Sequence, residues 1–481
     1  MSVAAPALIY GAECWSVADL RTRAQHRAEL LTAHGLRTGQ VVLAPDAPAF
    51  DLIVLQHALA TLGAAFLPYR ANATLAQIAQ LVATTGAEWR WFHESNQLLT
   101  TGCNTALATE TALALLINTS GSSGTPKVVM LTRNNLLASA QAVNTRLELQ
   151  AGDCWLACLR LCHIGGISIS YRTALAGATL LLHDGFDAAK VLADVQRQPV
   201  THLSVVPPML ARLLDLDPKP PPALRVLLVG GQAISPALLQ RALAAGWPVY
   251  LSYGMTETAS QIAVRNSHPL LNPPNPPFSK GGFFSPLWKR GGGGDLSKSG
   301  WDLSTGLKLS AGVEVQAPDC TAPAQRLRIR GAMVMAGYAT PQRQPGIGLV
   351  NGWFETADLG CLNADGQLHL HGRADDVCVI GGNNVSLARV ETVINAAQGV
   401  AEAVIVVLDD SSWGHRLIAV YRGESDAAAV QHWNQTQLSG AEQPRQVLRM
   451  RRLPLLASGK YDRQRLTAIV RRLLRTAKRE Q

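Results

Sequence analysis

The chain has 481 residues, of which 47% are hydrophobic and 16% charged, and it carries a formal net charge of +9. This length exceeds one ordinary core and predicts about two to four domains or subdomains, and the composition excludes a disordered protein. Met1 to Tyr10 lacks a basic signal region and no apolar run approaches a membrane span, so we predict a cytoplasmic protein without an integral membrane segment.

The positive charge is concentrated between Arg445 and Lys478. Basic segments of this kind bind nucleic acid in some proteins. No helix-turn-helix, zinc-finger or RNA-binding signature accompanies the segment, so we predict no nucleic-acid partner. We interpret it as a basic face toward anionic small molecules, with an ordinary solvated surface as the alternative.

The eight cysteines are expected to be reduced in a cytosolic chain. Cys154, Cys158 and Cys162 recur every four residues before His163, a spacing that could suggest a metal site. We interpret this segment as a strand, in which residues four apart lie too far apart to close on one ion. Buried small side chains are therefore the prediction.

The first 110 residues alternate between helical and strand-like patterns. Ser16 to His34 predicts an amphipathic helix that ends at Gly35, and Val41 to Leu43 predicts a short strand. Phe50 to Leu62 predicts an apolar helix that ends before Gly63. Alternation of this kind predicts a parallel sheet.

A loop rich in hydroxyls and glycines follows the apolar run at 112–117. Its glycines let successive backbone N–H groups point at one anion, while its hydroxyls and its lysine add donors and charge, as a polyphosphate requires. A flexible linker can have this composition, but it needs neither a preceding buried strand nor a following Pro-Lys pair. A Walker P-loop is excluded because Lys127 follows Pro126 instead of a glycine. The candidate phosphate-binding residues are Thr119, Ser120, Gly121, Ser122, Ser123, Gly124, Thr125 and Lys127.

Strand, loop and helix then repeat up to residue 260. A helix is predicted at 133–147 with Thr132 as its N-cap, followed by strands at 155–161, 201–206, 224–229 and 249–252. The loops after these strands carry His163, Gly230 with Gly231, and Tyr253 to Glu257. Because the carboxyl ends of parallel strands meet at one edge of a sheet, we expect a shared crevice there.

The sequence pattern changes twice in the last third of the chain. Prolines and glycines at 268–300 predict a disordered insertion, with a partner-binding segment as the alternative. Strand-rich patterns follow from Gly306, and a compact α+β unit begins near Arg373. We predict a large domain over 1–372 and a small mobile domain over 373–481. The predicted fold class is α/β, with layered βα subdomains and a β-rich portion in the large N-terminal domain and a small α+β C-terminal domain.

The hydroxyl loop resembles the phosphate-loop signature of the adenylate-forming superfamily, which includes acyl-CoA synthetases, luciferases and the adenylation domains of peptide synthetases. Further superfamily motifs match, in the expected order, at 162–166, 253–257, 356–360 and 453–460, so the resemblance spans most of the chain. The chain departs from the pattern at three positions. Arg160 stands where the superfamily often has proline, Ala357 replaces the usual glycine, and Asn384 replaces an arginine of many acyl-CoA synthetases.

The resemblance implies roles for individual residues. Lys460, Thr256 and His163 would be catalytic, Glu257 would hold Mg²⁺, and Asp375 would be the hinge between the domains. Besides the hydroxyl loop, the nucleotide would contact Gly230, Gly231, Tyr253, Gly254, Asp358 and Arg373. The acid pocket would include His163, Ser168 and Arg212, although a solvated helix residue explains Arg212 equally well.

The resemblance also implies ATP, Mg²⁺ and coenzyme A as cofactors and co-substrates of a two-step acid:CoA ligase. Within the superfamily, residues 163–168 and 201–214 and the short N-terminal region are most similar to the 2-succinylbenzoate:CoA ligases of menaquinone and phylloquinone synthesis. An acyl- or aryl-CoA synthetase for another acid and a non-catalytic nucleotide-binding protein are the alternatives. The sequence leaves homo-oligomerisation open.

Overall fold

The computed structural model describes residues 6–103, 112–119, 127–217, 219–267, 306–380, 383–410, 413–438, 440–456 and 459–477. The insertion predicted at 268–300 lies outside these ranges, as do residues 120–126 of the hydroxyl loop.

Short strands and helices alternate along the first half of the described chain. Up to residue 147 they are β1 (Leu8–Tyr10), β2 (Glu13–Trp15), α1 (Val17–Ala33), β3 (Val41–Pro45), α2 (Ala49–Leu62), β4 (Ala65–Tyr69), α3 (Leu75–Thr85), β5 (Trp89–Phe92), β6 (Gln97–Thr100), β7 (Leu113–Thr119), β8 (Lys127–Thr132) and α4 (Arg133–Leu147). There follow β9 (Cys154–Ala157), α5 (Ile164–Ala176), β10 (Thr179–Leu182), α6 (Ala188–Arg197), β11 (His202–Val205), α7 (Pro207–Leu216), β12 (Val226–Val229), α8 (Pro236–Ala244), β13 (Val249–Met255) and β14 (Ser260–Asn266).

Strands dominate from residue 308 to 386, and helices return after that. The strands are β15 (Lys308–Leu309), β16 (Val313–Gln316), β17 (Gln325–Gly331), β18 (Gly337–Tyr338), β19 (Leu349–Val350), β20 (Trp353–Leu362), β21 (Leu368–Arg373), β22 (Val377–Ile380) and β23 (Asn383–Ser386). The remaining elements are α9 (Leu387–Asn395), β24 (Val400–Asp410), β25 (Gly414–Gly423), α10 (Ala427–Gln437), β26 (Gln446–Arg449) and α11 (Arg463–Ala477).

Two large sheets form the N-terminal part of the molecule. One has nine strands in the order β15-β14-β13-β12-β11-β9-β10-β1-β2, and the other has seven in the order β18-β8-β7-β4-β3-β5-β6. The central strands of both sheets are parallel, as the βα alternation predicts. Phe66 and Leu115 of the seven-stranded sheet share one core cluster with Trp155 and Leu228 of the nine-stranded sheet. The main core therefore includes side chains from both sheets.

The C-terminal part is built on the three-stranded sheet β24-β25-β26. Ile405 of β24 shares a core cluster with Val390 of α9 and Val430 of α10. Val404 belongs to a second cluster with Leu466 of α11. Because successive side chains of a strand point to opposite faces, α11 covers the face opposite to α9 and α10. The predicted fold class, a large N-terminal domain followed by a smaller C-terminal one, is confirmed; the boundary at 373 stays a prediction.

Local signals predicted several helix ends correctly. The Thr132 side chain accepts a hydrogen bond from the backbone N–H of Asn135, and Ser235 caps α8 with Pro236 at its first helical position. Gly63 ends α2 in the left-handed conformation, with φ of 64°. These ends depend on neighbouring residues alone, which is why the sequence reveals them.

The strand predicted at 155–161 is wrong beyond Ala157, where β9 ends. The chain turns there, and Gly166 packs directly against the carbonyl groups of Leu159 and Arg160. Cys154, Cys158 and Cys162 are all buried, as predicted, and burial raises the pKa of the Cys158 thiol to about 12. None of the described residues forms a group of three or more His, Cys, Asp or Glu side chains placed to bind a metal ion.

The expectation that every cysteine is reduced is wrong for one pair. Cys320 and Cys361 form a disulfide with their Cα atoms 4.9 Å apart. The backbone N–H of Cys320 donates to the carbonyl of Leu362 at 3.1 Å, so the segment before β17 already lies against β20. Within the described ranges, no helix combines the length and the apolar character needed to cross a membrane.

Candidate active site

The loops that follow β9, β11, β12 and β13 bring the candidate residues to one edge of the nine-stranded sheet. His163 follows β9 as the N-cap of α5, and Gly230 and Gly231 follow β12. Gly231 has φ of 80°, and a Cβ atom there would lie 3.3 Å from Cγ1 of Val206 and 3.7 Å from Cε of Lys460. The lysine from the far end of the chain therefore reaches the crevice that the strand ends form.

Lys460 is carried by a tight turn that docks against α7. The backbone N–H of Gly459 donates to the Leu456 carbonyl at 2.9 Å, and that of Leu456 donates to the Lys460 carbonyl at 2.7 Å. Gly459 has φ of 79°, and a Cβ atom on it would lie 2.5 Å from Cγ2 of Val206. The turn can approach this closely only because Gly459 has no side chain.

The turn is fixed to the C-terminal domain on its other side. The Tyr461 hydroxyl donates to Glu402 at 2.7 Å, and Glu402 pairs with Arg422 at 2.7 Å. Burial and the neighbouring Glu402 carboxylate raise the pKa of Tyr461, so this hydroxyl stays a donor. The position of Lys460 is therefore coupled to the position of the C-terminal domain.

The charges around Lys460 alternate in sign. Its side chain is accessible to solvent at the crevice mouth, but desolvation by the crevice walls lowers the pKa of its ammonium, and the Arg373 guanidinium lowers it further. The carboxylates of Asp358 and Glu257 act in the opposite direction. Two carboxylates and two cations therefore surround one opening, which suits a ligand that carries both phosphate and metal charge.

Asp358 lies on β20 and is held by two donors. The Tyr253 hydroxyl donates to its Oδ2 atom at 2.7 Å, and Arg373, its register partner on β21, lies 3.4 Å from its Oδ1 atom. Burial and the Asp358 carboxylate raise the pKa of Tyr253, which keeps this hydroxyl protonated. An ionised carboxylate offers about four acceptor positions, so Asp358 retains capacity for a vicinal diol.

Glu257 lies in a short turn, Thr256–Thr258, between β13 and β14. Its Oε1 atom accepts a hydrogen bond of 2.9 Å from the hydroxyl of Tyr338, and Nζ of Lys127 lies 4.7 Å from the centroid of the Tyr338 ring. Lys127 pairs with Thr119 in the β7–β8 ladder. Tyr338, a residue that no sequence motif singled out, thus lies between Glu257 and Lys127, the residue that ends the hydroxyl loop.

Ala259 and Ser260, which follow the turn Thr256–Thr258, have unusual backbone angles. Ala259 has φ of 50° and Ser260 has φ of 108°, a region that residues other than glycine rarely occupy. The Ser139 hydroxyl donates to the Ala259 carbonyl at 2.8 Å, and Arg172 donates to the Ser260 hydroxyl at 2.9 Å. Such strain persists where the surroundings fix it and is frequent at functional sites.

Arg172 of α5 is a buried cation that the sequence interpretation missed. It is 1% exposed, its guanidinium lies 5.2 Å from the centroid of the Trp155 ring, and burial lowers its pKa to about 9. Its Nε atom is buried and has no hydrogen-bond partner among the described residues. A partner of opposite charge would offset the desolvation of this guanidinium.

His163 is the N-cap of α5, the helix that also carries Ser168 and Arg172. The Nε2 atom of His163 and the hydroxyl of Ser168 are buried without a hydrogen-bond partner in the described part of the chain. Burial lowers the pKa of His163 to about 4, with smaller contributions from Arg70 and Lys460, so its imidazole is neutral at pH 7. Arg212, in contrast, is exposed on α7. Of these two candidates for the acid pocket, Ser168 is buried and Arg212 is not. The pocket roles of both residues stay predictions.

Packing explains two of the candidate glycines without a ligand. A Cβ atom on Gly254 would collide with the backbone of Ser260, and one on Gly230 would collide with the Ser252 hydroxyl. The ladder between β13 and β14 also shifts register at Gly254. The nucleotide contacts predicted for these glycines stay predictions. The backbone of Asp375 lies in a 3-10 turn between β21 and β22.

The arrangement around Glu257 fits a magnesium ion that arrives with a polyphosphate. Mg²⁺ is usually bound by one or two carboxylates together with substrate phosphates, and not by a cage made of protein side chains alone. Glu257 supplies one such carboxylate, and the only protein hydrogen bond to it from a described side chain is that of Tyr338 to Oε1. Its Oε2 atom is therefore suited to a metal.

Comparisons with known proteins agree with this geometry. Residues 90–281 match the AMP-binding enzyme family and residues 389–460 match the AMP-binding enzyme C-terminal domain. The 2-succinylbenzoate--CoA ligase of Bacillus cereus is 31% identical over 362 residues, covering 74% of this chain and 70% of that protein. The corresponding ligase of Bacillus licheniformis is 33% identical over 357 residues, covering 73% and 69%.

Solved structures resemble the whole chain. The o-succinylbenzoate CoA synthetase of Bacillus subtilis, in complex with the acyl-adenylate intermediate OSB-AMP, has a TM-score of 0.77 and 26% identity, covering 97% of this chain and 96% of that chain. The same enzyme in complex with ATP and magnesium ion gives a TM-score of 0.77 at 26% identity. Since the family models, the curated ligases over 74% of the chain and the solved structures over 97% of it all agree, and the site residues meet in one crevice, the chain belongs to the family of AMP-binding enzymes and is an AMP-forming CoA ligase.

Proposed function

We propose that this chain activates 2-succinylbenzoate with ATP and transfers the acyl group to coenzyme A. The observation that carries the proposal is the convergence of Lys460 with Asp358, Glu257 and Lys127 at one edge of the nine-stranded sheet. The curated 2-succinylbenzoate--CoA ligases that resemble the chain at 31–33% identity support this choice of acid.

In the first step, a carboxylate oxygen of the acid attacks the α-phosphorus of ATP, a P–O bond forms, and pyrophosphate leaves. Lys460 neutralises the charge that develops on the bridging oxygens, together with Thr256 and the hydroxyl loop. Asp358 accepts hydrogen bonds from the ribose hydroxyls while Tyr253 and Arg373 hold its carboxylate. Glu257 would bind a Mg²⁺ ion, which supplies Lewis-acid neutralisation of the phosphate oxygens.

In the second step, the thiolate of coenzyme A attacks the acyl carbon, the C–S bond forms, and AMP leaves. Lys460 fills the crevice mouth during the first step, so it has to withdraw before a second large anion can approach the same carbon. Rotation of the C-terminal domain about Asp375 would accomplish this, because the Lys460 turn is anchored to that domain through Tyr461 and Glu402.

The second carboxylate of succinylbenzoate needs a positive partner in the pocket. Arg172 is suited to this because it is buried and no carboxylate among the described residues acts on its charge. Ser168 offers an unpaired hydroxyl on the same helix. A monocarboxylic acid of similar size would leave the Arg172 charge without such a partner.

The partners in this proposal are small molecules: the acid, ATP and coenzyme A. ATP and coenzyme A are available in the cytoplasm, where we place the reaction. A homo-oligomer is compatible with the proposal and is not required by it.

The proposal is tested by incubating the purified chain with ATP, Mg²⁺, coenzyme A and a panel of acids. The panel contains 2-succinylbenzoate, benzoate, 4-phenylbutyrate and a medium-chain fatty acid. We expect pyrophosphate release and thioester formation with 2-succinylbenzoate at a kcat/KM at least about tenfold above the other acids, as expected when a buried charge loses its partner. Equal rates with benzoate would contradict the assignment of the acid, and no pyrophosphate release with any acid would contradict the ligase.

A further inference from the structure

Tyr338 occupies a central position in the crevice, and no motif or resemblance assigned it a role. It lies on β18, which pairs with β8 directly after the hydroxyl loop, so that Tyr338 is opposite Val129. The same segment also contacts the metal motif, because the backbone N–H of Met335 donates to the Glu257 carbonyl at 2.8 Å. The backbone around Tyr338 therefore bridges the two motifs.

The side chain of Tyr338 makes the same bridge. Its hydroxyl donates to Oε1 of Glu257 at 2.9 Å, and the ammonium of Lys127 lies over its ring, 4.7 Å from the centroid. A tyrosine hydroxyl carries its proton at neutral pH, so it donates this hydrogen bond to the Glu257 carboxylate. The hydroxyl of Tyr338 thus meets a carboxylate, and the face of its ring meets a cation.

The ring has a fixed orientation. A Cβ atom on Gly348 would lie 2.5 Å from Cδ2 and 2.6 Å from Cε2 of Tyr338, so the backbone of Gly348 packs tightly against the ring. The backbone N–H of Tyr338 also donates to the Ile347 carbonyl at 2.8 Å. A ring held in this way can act as a spacer and not only as a hydrogen-bond donor.

A spacer matters here because Lys127 and Glu257 carry opposite charges near each other. In the described part of the chain both groups contact Tyr338, and no ion pair joins Lys127 to Glu257. If the two formed one, the cation that meets the phosphates and the carboxylate that meets the metal would neutralise each other. The cation–π contact and the hydroxyl hydrogen bond instead satisfy each group separately.

We propose that Tyr338 is a positioning residue that orients Glu257 for Mg²⁺ through its hydroxyl and keeps Lys127 available to the phosphates of ATP through its ring. This inference rests on the proposed function, since it takes ATP and Mg²⁺ as the ligands of the crevice. Its two parts are separable, because phenylalanine removes the hydroxyl and keeps the ring, whereas leucine removes both.

The experiment measures ATP binding by calorimetry with Mg²⁺ varied and with EDTA, so that no acid and no turnover are needed. Tyr338→Phe should raise the half-saturating Mg²⁺ concentration about tenfold, the usual effect of losing a partner of a metal-binding carboxylate. Its affinity for ATP in EDTA should stay within about twofold of the wild type. Tyr338→Leu should show the same Mg²⁺ effect and, in addition, about fivefold weaker ATP binding in EDTA, because Lys127 can then pair with Glu257.

Tyr10→Phe is the matched control, since the Tyr10 hydroxyl donates to Asp184 at 2.8 Å and its strand β1 lies far from β13 in the order of the nine-stranded sheet. It should leave both affinities unchanged. Wild-type Mg²⁺ dependence in Tyr338→Phe would overturn the orienting role, and equal EDTA affinities in the Phe and Leu variants would overturn the spacer role. Failure of the wild type to bind ATP at all would overturn the proposed function together with this inference, whereas failure of the variants to differ from it would overturn only the inference.

Discussion

Gly459 offers the most direct test of whether Lys460 acts from the docked turn. Its φ is 79°, and a Cβ atom would lie 2.5 Å from Cγ2 of Val206 and 3.0 Å from Cε of Met209. The methionine tip can move, but the Val206 side chain is buried and Val206 is the N-cap of α7. Gly459→Ala therefore disturbs both the turn and its contact with the large domain.

The size of the effect follows from two contributions. An alanine in the left-handed region costs about 1–2 kcal/mol. An extra methyl group in a tight contact costs about 1–3 kcal/mol. The docked turn should lose about 2–5 kcal/mol relative to the undocked one, and the lower figure already reduces the docked population about 30-fold.

The assay compares the two half-reactions. Acid-dependent exchange of pyrophosphate into ATP should fall at least about 30-fold in Gly459→Ala, since it needs Lys460 in the crevice. Thioester formation from supplied acyl-adenylate and coenzyme A should stay within about threefold, because Lys460 is withdrawn in that step. A similar loss in both half-reactions would indicate general damage to the fold.

Gly414→Ala is the matched control in the same domain. Gly414 has φ of 74°, almost that of Gly459, but nothing lies within 4 Å of a Cβ atom placed on it. It carries the same backbone strain without the contact. If Gly459→Ala exchanged pyrophosphate as fast as Gly414→Ala, docking of the turn would not be required for adenylation.

Three further predictions concern charged groups of the crevice. Lys460→Ala should lower pyrophosphate exchange about 100-fold or more and spare thioester formation from supplied acyl-adenylate; unchanged exchange would remove Lys460 from the first step. Arg172→Gln should raise KM for 2-succinylbenzoate about tenfold or more while KM for ATP stays within about twofold, and parallel changes in both would point to a structural role. His163 has a folded-state pKa of about 4 against an ordinary 6.5, so the unfolded chain takes up its proton first, and the free energy of unfolding should decrease as pH falls from 6.5 toward 4. His163→Gln should make that decrease shallower in urea titrations, and an unaltered slope would contradict the assigned pKa.

The sequence predicted those parts of the candidate site that consist of short motifs of consecutive residues. The motif at Tyr253 to Glu257 and the Ser-Gly-Lys turn at Lys460 are short and local, so their positions could be predicted without coordinates. The motif at Asp358 is equally local, and the structure places its carboxylate within hydrogen-bond distance of the Tyr253 hydroxyl. Their individual roles remain predictions that the variants above address.

Residues whose importance depends on distant partners were missed. In the sequence, Tyr338 is an aromatic residue that follows a glycine and Arg172 is an arginine within a predicted element, and neither position carries a signal that marks it as functional. Their significance comes from Glu257 and Lys127 in one case and from burial beside Trp155 in the other. For Arg212 the sequence suggested a place in the acid pocket, whereas the structure shows its side chain exposed on α7.

The amino-acid order alone determined the alternation of strands and helices, the caps at Thr132 and Ser235 and the nucleotide motifs, because each depends on side chains a few positions apart. Only the tertiary structure decided where β9 ends, which cysteines join, and which side chains surround Lys460. These features depend on contacts that a local sequence pattern does not encode, from Gly166 against Leu159, through the disulfide across 41 positions, to Lys460 beside Asp358 and Glu257. Packing of the two sheets and the small domain sets which of these residues meet.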